Sequence, residues 1–147
     1  MKMINQFKLE MLNSSHNEGF ARVAVASFVA QAKVTLEELS DIKTAVSEAV
    51  TNAIVHGYGD SKGVVMIDCL ILADEPMTSH IIEIAVTDHG HGIADVAKAR
   101  EPLYTTQPEF ERSGMGFTVM ETFMDEIAVE STLGHGTKVT MRKAINR

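Results

Sequence analysis

Cys69 is the single cysteine among 147 residues, so no disulfide can form within the chain. It lies in an apolar run, residues 64–72, where it reads as a buried strand residue, and so sparing a use of cysteine suits a reducing compartment. No stretch approaches the roughly 20 apolar residues that a membrane-spanning helix needs. The N-terminal segment carries Lys2, Asn5, Gln6, Lys8 and Glu10 and lacks the apolar centre of a secretory signal. Basic residues are in the minority: 13 Lys and Arg stand against 20 Asp and Glu, a formal net charge of −7. A broad surface for nucleic acid or for an anionic membrane is therefore not expected, because both need clustered Lys and Arg. Internal repeats, low-complexity tracts and long linkers are missing too. The expectation is a cytoplasmic protein with no membrane anchor and no direct nucleic-acid contact.

What is present suits one globular domain, residues 1–147, with a real core: the chain is 45% hydrophobic and 22% charged. Phe7, Leu9 and Met11 alternate with Lys8 and Glu10, which predicts a first strand. Ser15 and Glu18 have the spacing of a capping box ahead of an Ala-rich helix over residues 20–32. Thr35 and Glu38 have the same spacing. Leu36, Leu39, Ile42, Val46, Ala49, Val50 and Ala53 follow as one helical stripe, with Gly57 placed to end it. Residues 64–72 and 81–88 predict two strands of a hairpin, joined by a polar turn at 74–80 that has no assignable role. A short helix is expected over 94–100, a loop over 101–114 and a helix over 115–124. A last hairpin, 126–131 with 137–142, turns at Gly134 and Gly136. Strands and helices do not alternate strictly, which disfavours a doubly wound parallel sheet. A mixed sheet covered on one face by helices fits the order better.

Four segments carry candidate chemistry. Glu48 and Asn52 stand one helical turn apart and project from one face. An amide oxygen is a hard donor suited to Mg²⁺, and a carboxylate nearby can take a proton from an attacking hydroxyl. An exposed polar helix face would look the same. Asp88 ends a strand and is followed by Gly90, Gly92 and Ile93; a carboxylate there can accept a hydrogen bond from a base amino group, and glycines let a ligand approach the backbone. An ordinary Asp/Gly turn is the alternative. His89 and His91 in the same turn are weak evidence for a metal. Arg112, Ser113, Gly114, Met115, Gly116 and Phe117 run into a helix, where free amides and the helix dipole favour phosphate. This is neither a Walker loop nor a dinucleotide fingerprint. Thr137, after the Gly134–Gly136 turn, can offer a hydroxyl to a base.

In this order and spacing the segments resemble the N, G1, G2 and G3 boxes of the GHKL ATPase/kinase superfamily, over about residues 35–142. The run from Phe20 to Phe28, that from Glu48 to Tyr58, and that from Pro102 through Thr105 to Thr118 narrow the resemblance. They are similar to the bacterial anti-sigma serine kinases, nearest the branch that governs the sporulation sigma factor sigma-F, and the likeness runs nearly end to end. The resemblance implies a Bergerat-type fold: a two-layer α/β sandwich, its sheet mixed but mostly antiparallel, with helices on one face. It implies a homodimer that sequesters sigma-F and, using ATP and Mg²⁺, phosphorylates a serine on an anti-anti-sigma protein. Carried over by motif, Glu48 is the general base and Asn52 the Mg²⁺ ligand. Asp88 reads the adenine amino group, with Gly90, Gly92, Ile93 and Thr137 close by. His56 and Gly57 belong to the nucleotide site as well. Thr105, Arg112 and the run Ser113, Gly114, Met115, Gly116 and Phe117 form the lid and phosphate cradle. Arg22 matches a helix-1 arginine that contacts both protein partners. Bound ATP or ADP is expected to select between those partners.

Three other readings stay open on sequence grounds. One is a histidine-kinase catalytic domain, which would need a dimerisation helix pair with a phosphoacceptor histidine; residues 20–32 contain no histidine. Another is a non-catalytic module that uses ATP only to set its shape. The third is the same kinase serving a stress sigma factor.

Overall fold

The computed structural model of the chain describes residues 1–75, 78–101 and 116–146. The elements in order are β1 (Lys2–Leu12), α1 (Asn17–Val29), a 3₁₀ turn (Ala30–Ala32), α2 (Leu36–Asn52) and a π turn (Ala53–Gly57). Then come β2 (Val64–Ala73), β3 (Ser79–Asp88), α3 (Val96–Ala99), α4 (Gly116–Phe123), β4 (Glu126–Thr132) and β5 (Gly136–Asn146). The strands lie in the order β1-β2-β3-β5-β4. The expected two-layer arrangement holds, and its mostly antiparallel sheet is antiparallel in every described pairing.

Alternation along the strands decides the layers. Val65, Ile67, Cys69 and Ile71 of β2 are buried, as are Ile82, Ile84 and Val86 of β3 and Val139, Met141 and Ile145 of β5. They share one core with Val25 and Val29 of α1, Ile42, Val46 and Val50 of α2, and Met120 of α4. Burial of each such side chain stabilises the fold by about 1.5–3 kcal/mol. The opposite sheet face holds Lys8, Asp68, Glu83 and Arg142, the last two paired at 2.6 Å. Burial, and secondarily the Asp68 charge, pushes the Cys69 thiol up to about 12, so it stays an unreactive core residue.

α2 begins as its sequence predicts. Glu38 N–H donates to Thr35 Oγ1 at 3.1 Å, and Thr35 N–H donates to Glu38 Oε1 at 2.8 Å. The Ser15 box does not form: α1 starts after His16 with no side-chain cap. Glu18 turns instead to Arg22, 3.2 Å away and one turn along the helix. The helix begins one residue later than the box requires, which leaves Glu18 at the second helical position and not the third. The far end of α2 also differs from expectation. The helix does not stop on a left-handed Gly57; it widens into the π turn, and the left-handed residue is Gly59, at φ 57°.

Side chains close the remaining joints. Asp74 Oδ1 accepts from Ser79 N–H at 2.8 Å, which gives Asp74 a structural role at the start of β3. Asp95 caps the short α3 through Lys98 N–H at 3.1 Å. Arg100, just past α3, pairs with Glu121 of α4. Lys143 of β5 donates to the Phe123 carbonyl at 2.8 Å and lies 3.6 Å from Asp41 of α2. A cation at the last carbonyls of α4 suits the helix dipole.

Because both arms of the α2 box are made, Thr35→Ala should destabilise the protein by about 1 kcal/mol and lower the denaturant midpoint without changing the slope. An unchanged midpoint would show that the cap contributes nothing.

Candidate functional site

α2 and its π turn form one wall of a cavity of about 480 Å³, a volume within the range of small-molecule sites. Asn52, His56 and Gly57 line that wall, facing Val86 and Asp88 of β3 and Thr137 and Val139 of β5. Gly92, Ile93 and α3 close one side; Gly116 and Phe117 of α4 close another. The long apolar stripe of α2 fixes which way Asn52 points: Val46, Ala49 and Val50 face the sheet, and that rotation presents Glu48 and Asn52 toward α4.

At the α4 end the spacing is tight. A Cβ built on Gly116 would lie 3.1 Å from Asn52 Nδ2, 3.2 Å from its Oδ1 and 3.5 Å from Glu48 Oε2. Carboxylate, amide and helix N-terminus thus converge within one contact shell. Asn52 offers one hard oxygen, and no group of three or more His, Cys, Asp or Glu able to hold a metal occurs among the described residues. Such a donor fits Mg²⁺ that keeps waters and takes further oxygens from phosphates, not a protein cage.

At the opposite end Asp88 is 5% exposed. Its Oδ1 accepts from Gly90 N–H at 2.9 Å. Burial is the main reason its carboxyl titrates above the ordinary 3.8; hydrogen bonds from the Gly90 and Thr137 backbone, and the charges of His89 and His91, pull the other way. Gly57 backs directly onto it, since a Cβ there would come within 2.8 Å of the Asp88 carboxyl carbon. The Gly57 carbonyl accepts from His91 N–H at 2.6 Å.

The two glycines of the Asp88 turn serve different ends. Gly92 lines the cavity at φ 74°, a conformation few other residues adopt. Gly90 does not line it. A Cβ there would sit 1.7 Å from the Gly57 carbonyl oxygen, so its bare backbone admits α2 and not a ligand. His89 and His91 are exposed and do not line the cavity. Thr137 Oγ1 is 2.8 Å from Ser131 Oγ. Arg22 is remote from the cavity: it reaches Glu18 and, at 3.4 Å, Ser47 Oγ, the residue before Glu48. Thr105, Arg112, Ser113, Gly114 and Met115 lie outside the described residues.

Comparison with known proteins agrees with this geometry. Residues 14–143 match the model of the histidine kinase-like ATPase domain. The chain belongs to that family. It is 56% identical over 142 residues to an anti-sigma F factor of Clostridium novyi, covering 96% of this chain and 95% of that one. It is 58% identical over 145 residues to the anti-sigma F factor of Clostridium perfringens strain SM101, covering 98% and 99%. A crystal structure of the RsbU and RsbW domains of a Mycobacterium tuberculosis protein superposes with a TM-score of 0.60 at 17% identity, over 97% of this chain and 33% of that one. That likeness speaks for the fold alone. An ATPase domain implies a nucleotide site, and the volume and lining of the cavity suit one.

Several site residues were not visible in the sequence pattern. Ser131 Oγ accepts from Ile93 N–H at 2.7 Å and donates to the Gly136 carbonyl at 2.9 Å, which ties the Asp88 turn to the last hairpin. Lys98, Asp95 and Leu133 line the cavity as well. A lysine on a four-residue helix has no motif to mark it; only the packing of α3 beside the cavity does.

The raised pKa of Asp88 has a testable sign. An acid raised by folding holds its proton more tightly in the native state. Its charge therefore costs stability, increasingly so as pH climbs from the ordinary value through the folded one. Asp88→Asn keeps an acceptor for Gly90 and removes the charge. In the nucleotide-free protein it should raise the thermal midpoint at pH 7, with the gain disappearing below about pH 3, where the acid is protonated in both states. A midpoint shift independent of pH would contradict the burial account.

Proposed function

We propose that this chain is an anti-sigma factor that sequesters the sporulation sigma factor sigma-F and, as an ATP-dependent protein serine kinase, phosphorylates a serine of its anti-anti-sigma antagonist. The observation that carries the reading is the convergence of Glu48 and Asn52 on Gly116, in a chain 58% identical to a protein named anti-sigma F factor. One domain, 1–147, does both tasks, acting as a cytoplasmic homodimer.

In this reading adenine lies against Asp88, whose carboxylate accepts a hydrogen bond from the 6-amino group. The Thr137 hydroxyl and the backbone at Gly92 and Ile93 border the base, with Gly57 behind the carboxylate. His56 lines the wall between the base and Asn52. The phosphates run toward α4, where the Gly116 and Phe117 amides sit at the positive end of the helix dipole. Asn52 holds Mg²⁺ through its side-chain oxygen, and the ion supplies charge neutralisation on the phosphate oxygens. Glu48 accepts the proton of the substrate serine as its Oγ bonds to the γ-phosphorus and the bond to the departing ADP oxygen breaks. Thr105, Arg112, Ser113, Gly114 and Met115 are assigned to the lid and phosphate cradle that the family resemblance implies. Residues 102–115 connect α3 to α4, and the Arg100–Glu121 pair ties those helices together at the segment's base.

Arg22 is assigned to partner binding. On the same helix Phe20 and Val23, one turn apart, are 54% and 62% exposed, so α1 presents apolar surface as well as a charge. Such a mixture suits a protein partner. Its contact with Ser47 leads to the residue before Glu48.

Glu48→Gln should bind Mg-ATP within about twofold of the parent while phosphoserine formation falls by about a hundredfold or more. Retained turnover would remove Glu48 as the base and favour a module that only binds. Asn52→Ala should weaken Mg-ATP by about tenfold or more in a calorimetric titration. For the switch, affinities for sigma-F and for the anti-anti-sigma protein are measured with ATP and with ADP. The two partners should respond oppositely to the nucleotide, and four equal affinities would refute coupling.

A further inference from the structure

Tyr58 follows the π turn and is 8% exposed, yet it does not line the cavity. Its hydroxyl accepts from His89 N–H at 2.8 Å and donates to the Val64 carbonyl at 2.6 Å. The β2–β3 register pairs Val65 with Asp88, so Val64 and His89 are the next pair along. The phenol oxygen stands between them at the very end of the ladder.

The consequence falls on the turn that carries Asp88. Its three following amides are all engaged: His89 N–H by Tyr58 Oη, Gly90 N–H by the Asp88 carboxylate, and His91 N–H by the Gly57 carbonyl. Two of these acceptors belong to consecutive residues, Gly57 and Tyr58, at the end of the helix that also bears Glu48 and Asn52. The aromatic ring is wedged as well. A Cβ on Gly63 would fall 2.1 Å from Tyr58 Cε1, and Gly63 is itself held by Asn13 through Gly63 N–H to Oδ1 at 3.0 Å and Asn13 N–H to the Gly63 carbonyl at 3.0 Å. The hydroxyl therefore has little freedom to move away from His89.

We propose that Tyr58 is a positioning residue that sets purine selectivity: its hydroxyl, clamped between Val64 and His89, holds the Asp88 carboxylate where it meets a 6-amino group and rejects a 6-oxo group. The inference rests on the reading that Asp88 accepts the adenine amino hydrogen. A carboxylate that shifts by a fraction of an ångström loses discrimination between the two groups before it loses binding. A tyrosine that served packing alone would, when altered, weaken every purine nucleotide by the same factor.

The test compares ATP with inosine triphosphate, which carries a 6-oxo group in place of the amino group. Dissociation constants for both are measured in the full chain and in Tyr58→Phe, which keeps the ring against Gly63. Tyr58→Phe should weaken ATP by about tenfold and leave inosine triphosphate within about threefold, so the ATP preference shrinks. Amide hydrogen exchange at His89 should speed up in the same variant. Gly63→Ala, whose added methyl overlaps the ring and must push the retained hydroxyl off His89, should shrink the preference in the same direction and serves if Tyr58→Phe does not fold. Equal loss for both nucleotides, or no loss for either, overturns the proposal. Asp88→Asn is the control. An unchanged ATP preference in Asp88→Asn means the amino-group reading has failed. A preference lost in Asp88→Asn but kept in Tyr58→Phe means that only the role of Tyr58 has failed.

Discussion

A carboxylate buried at the end of a strand is the constraint around which this structure is arranged. Asp88 has almost no solvent, and a charge in that position is costly unless polar groups converge on it. Backbone amides of its own turn and of Thr137 do so, and to bring them in, three glycines must lie close together. Gly57 comes up behind the carboxyl, Gly90 lets the Gly57 carbonyl approach, and Gly136 passes the Asp88 carbonyl with a Cβ distance of only 2.1 Å. The site is thus held by backbone packed on backbone, where a single added methyl would separate the walls.

The same constraint accounts for the irregular end of α2. A regular helix through Gly57 would follow the stripe that buries Val46 and Val50. The π turn departs from it, and the Gly57 carbonyl meets His91 N–H. π turns inserted in α-helices recur at functional sites because they re-aim a backbone group at modest cost. Here the re-aimed carbonyl joins the two ends of the cavity. α2 carries Glu48 and Asn52 toward α4, and its continuation holds the Asp88 turn. In the proposed reading, the distance between adenine and phosphate contacts is the length of one helix segment. Positioning is most of what a phosphoryl-transfer site has to supply.

Much of this was legible in the residues themselves. The alternation of β1, the Ile- and Val-rich runs of β2 and β3 and the helical stripe of α2 are burial signals, and burial is what the fold obeys. The Thr35–Glu38 box formed because both of its arms are local, and α2 starts right after Thr35, as the box requires. The Ser15–Glu18 box has the same spacing and did not form: α1 begins after His16, one residue late for it, and Glu18 pairs with Arg22. Gly57 was read as a helix stop from its residue type, yet its missing side chain answers a crowding problem with a residue 31 positions later in the chain. Gly90 was read as room for a ligand and is room for a helix.

What the sequence by itself determined is the set of local commitments. These are the elements and their order, the absence of disulfides, and a grouping of Glu48, Asn52, Asp88, Gly92, Gly116 and Thr137 specific enough to point to one family. Spacing of three or four residues along a helix and of two along a strand is enforced by backbone geometry, so those inferences carry over directly. Only the tertiary structure decided which groups meet across the sheet: Ser131 with Ile93, Tyr58 with His89, Gly57 with Asp88, Arg22 with Ser47. Each of those contacts joins residues brought together by β-pairing or helix packing. Their energy depends on a few tenths of an ångström of approach, and no local pattern records that distance.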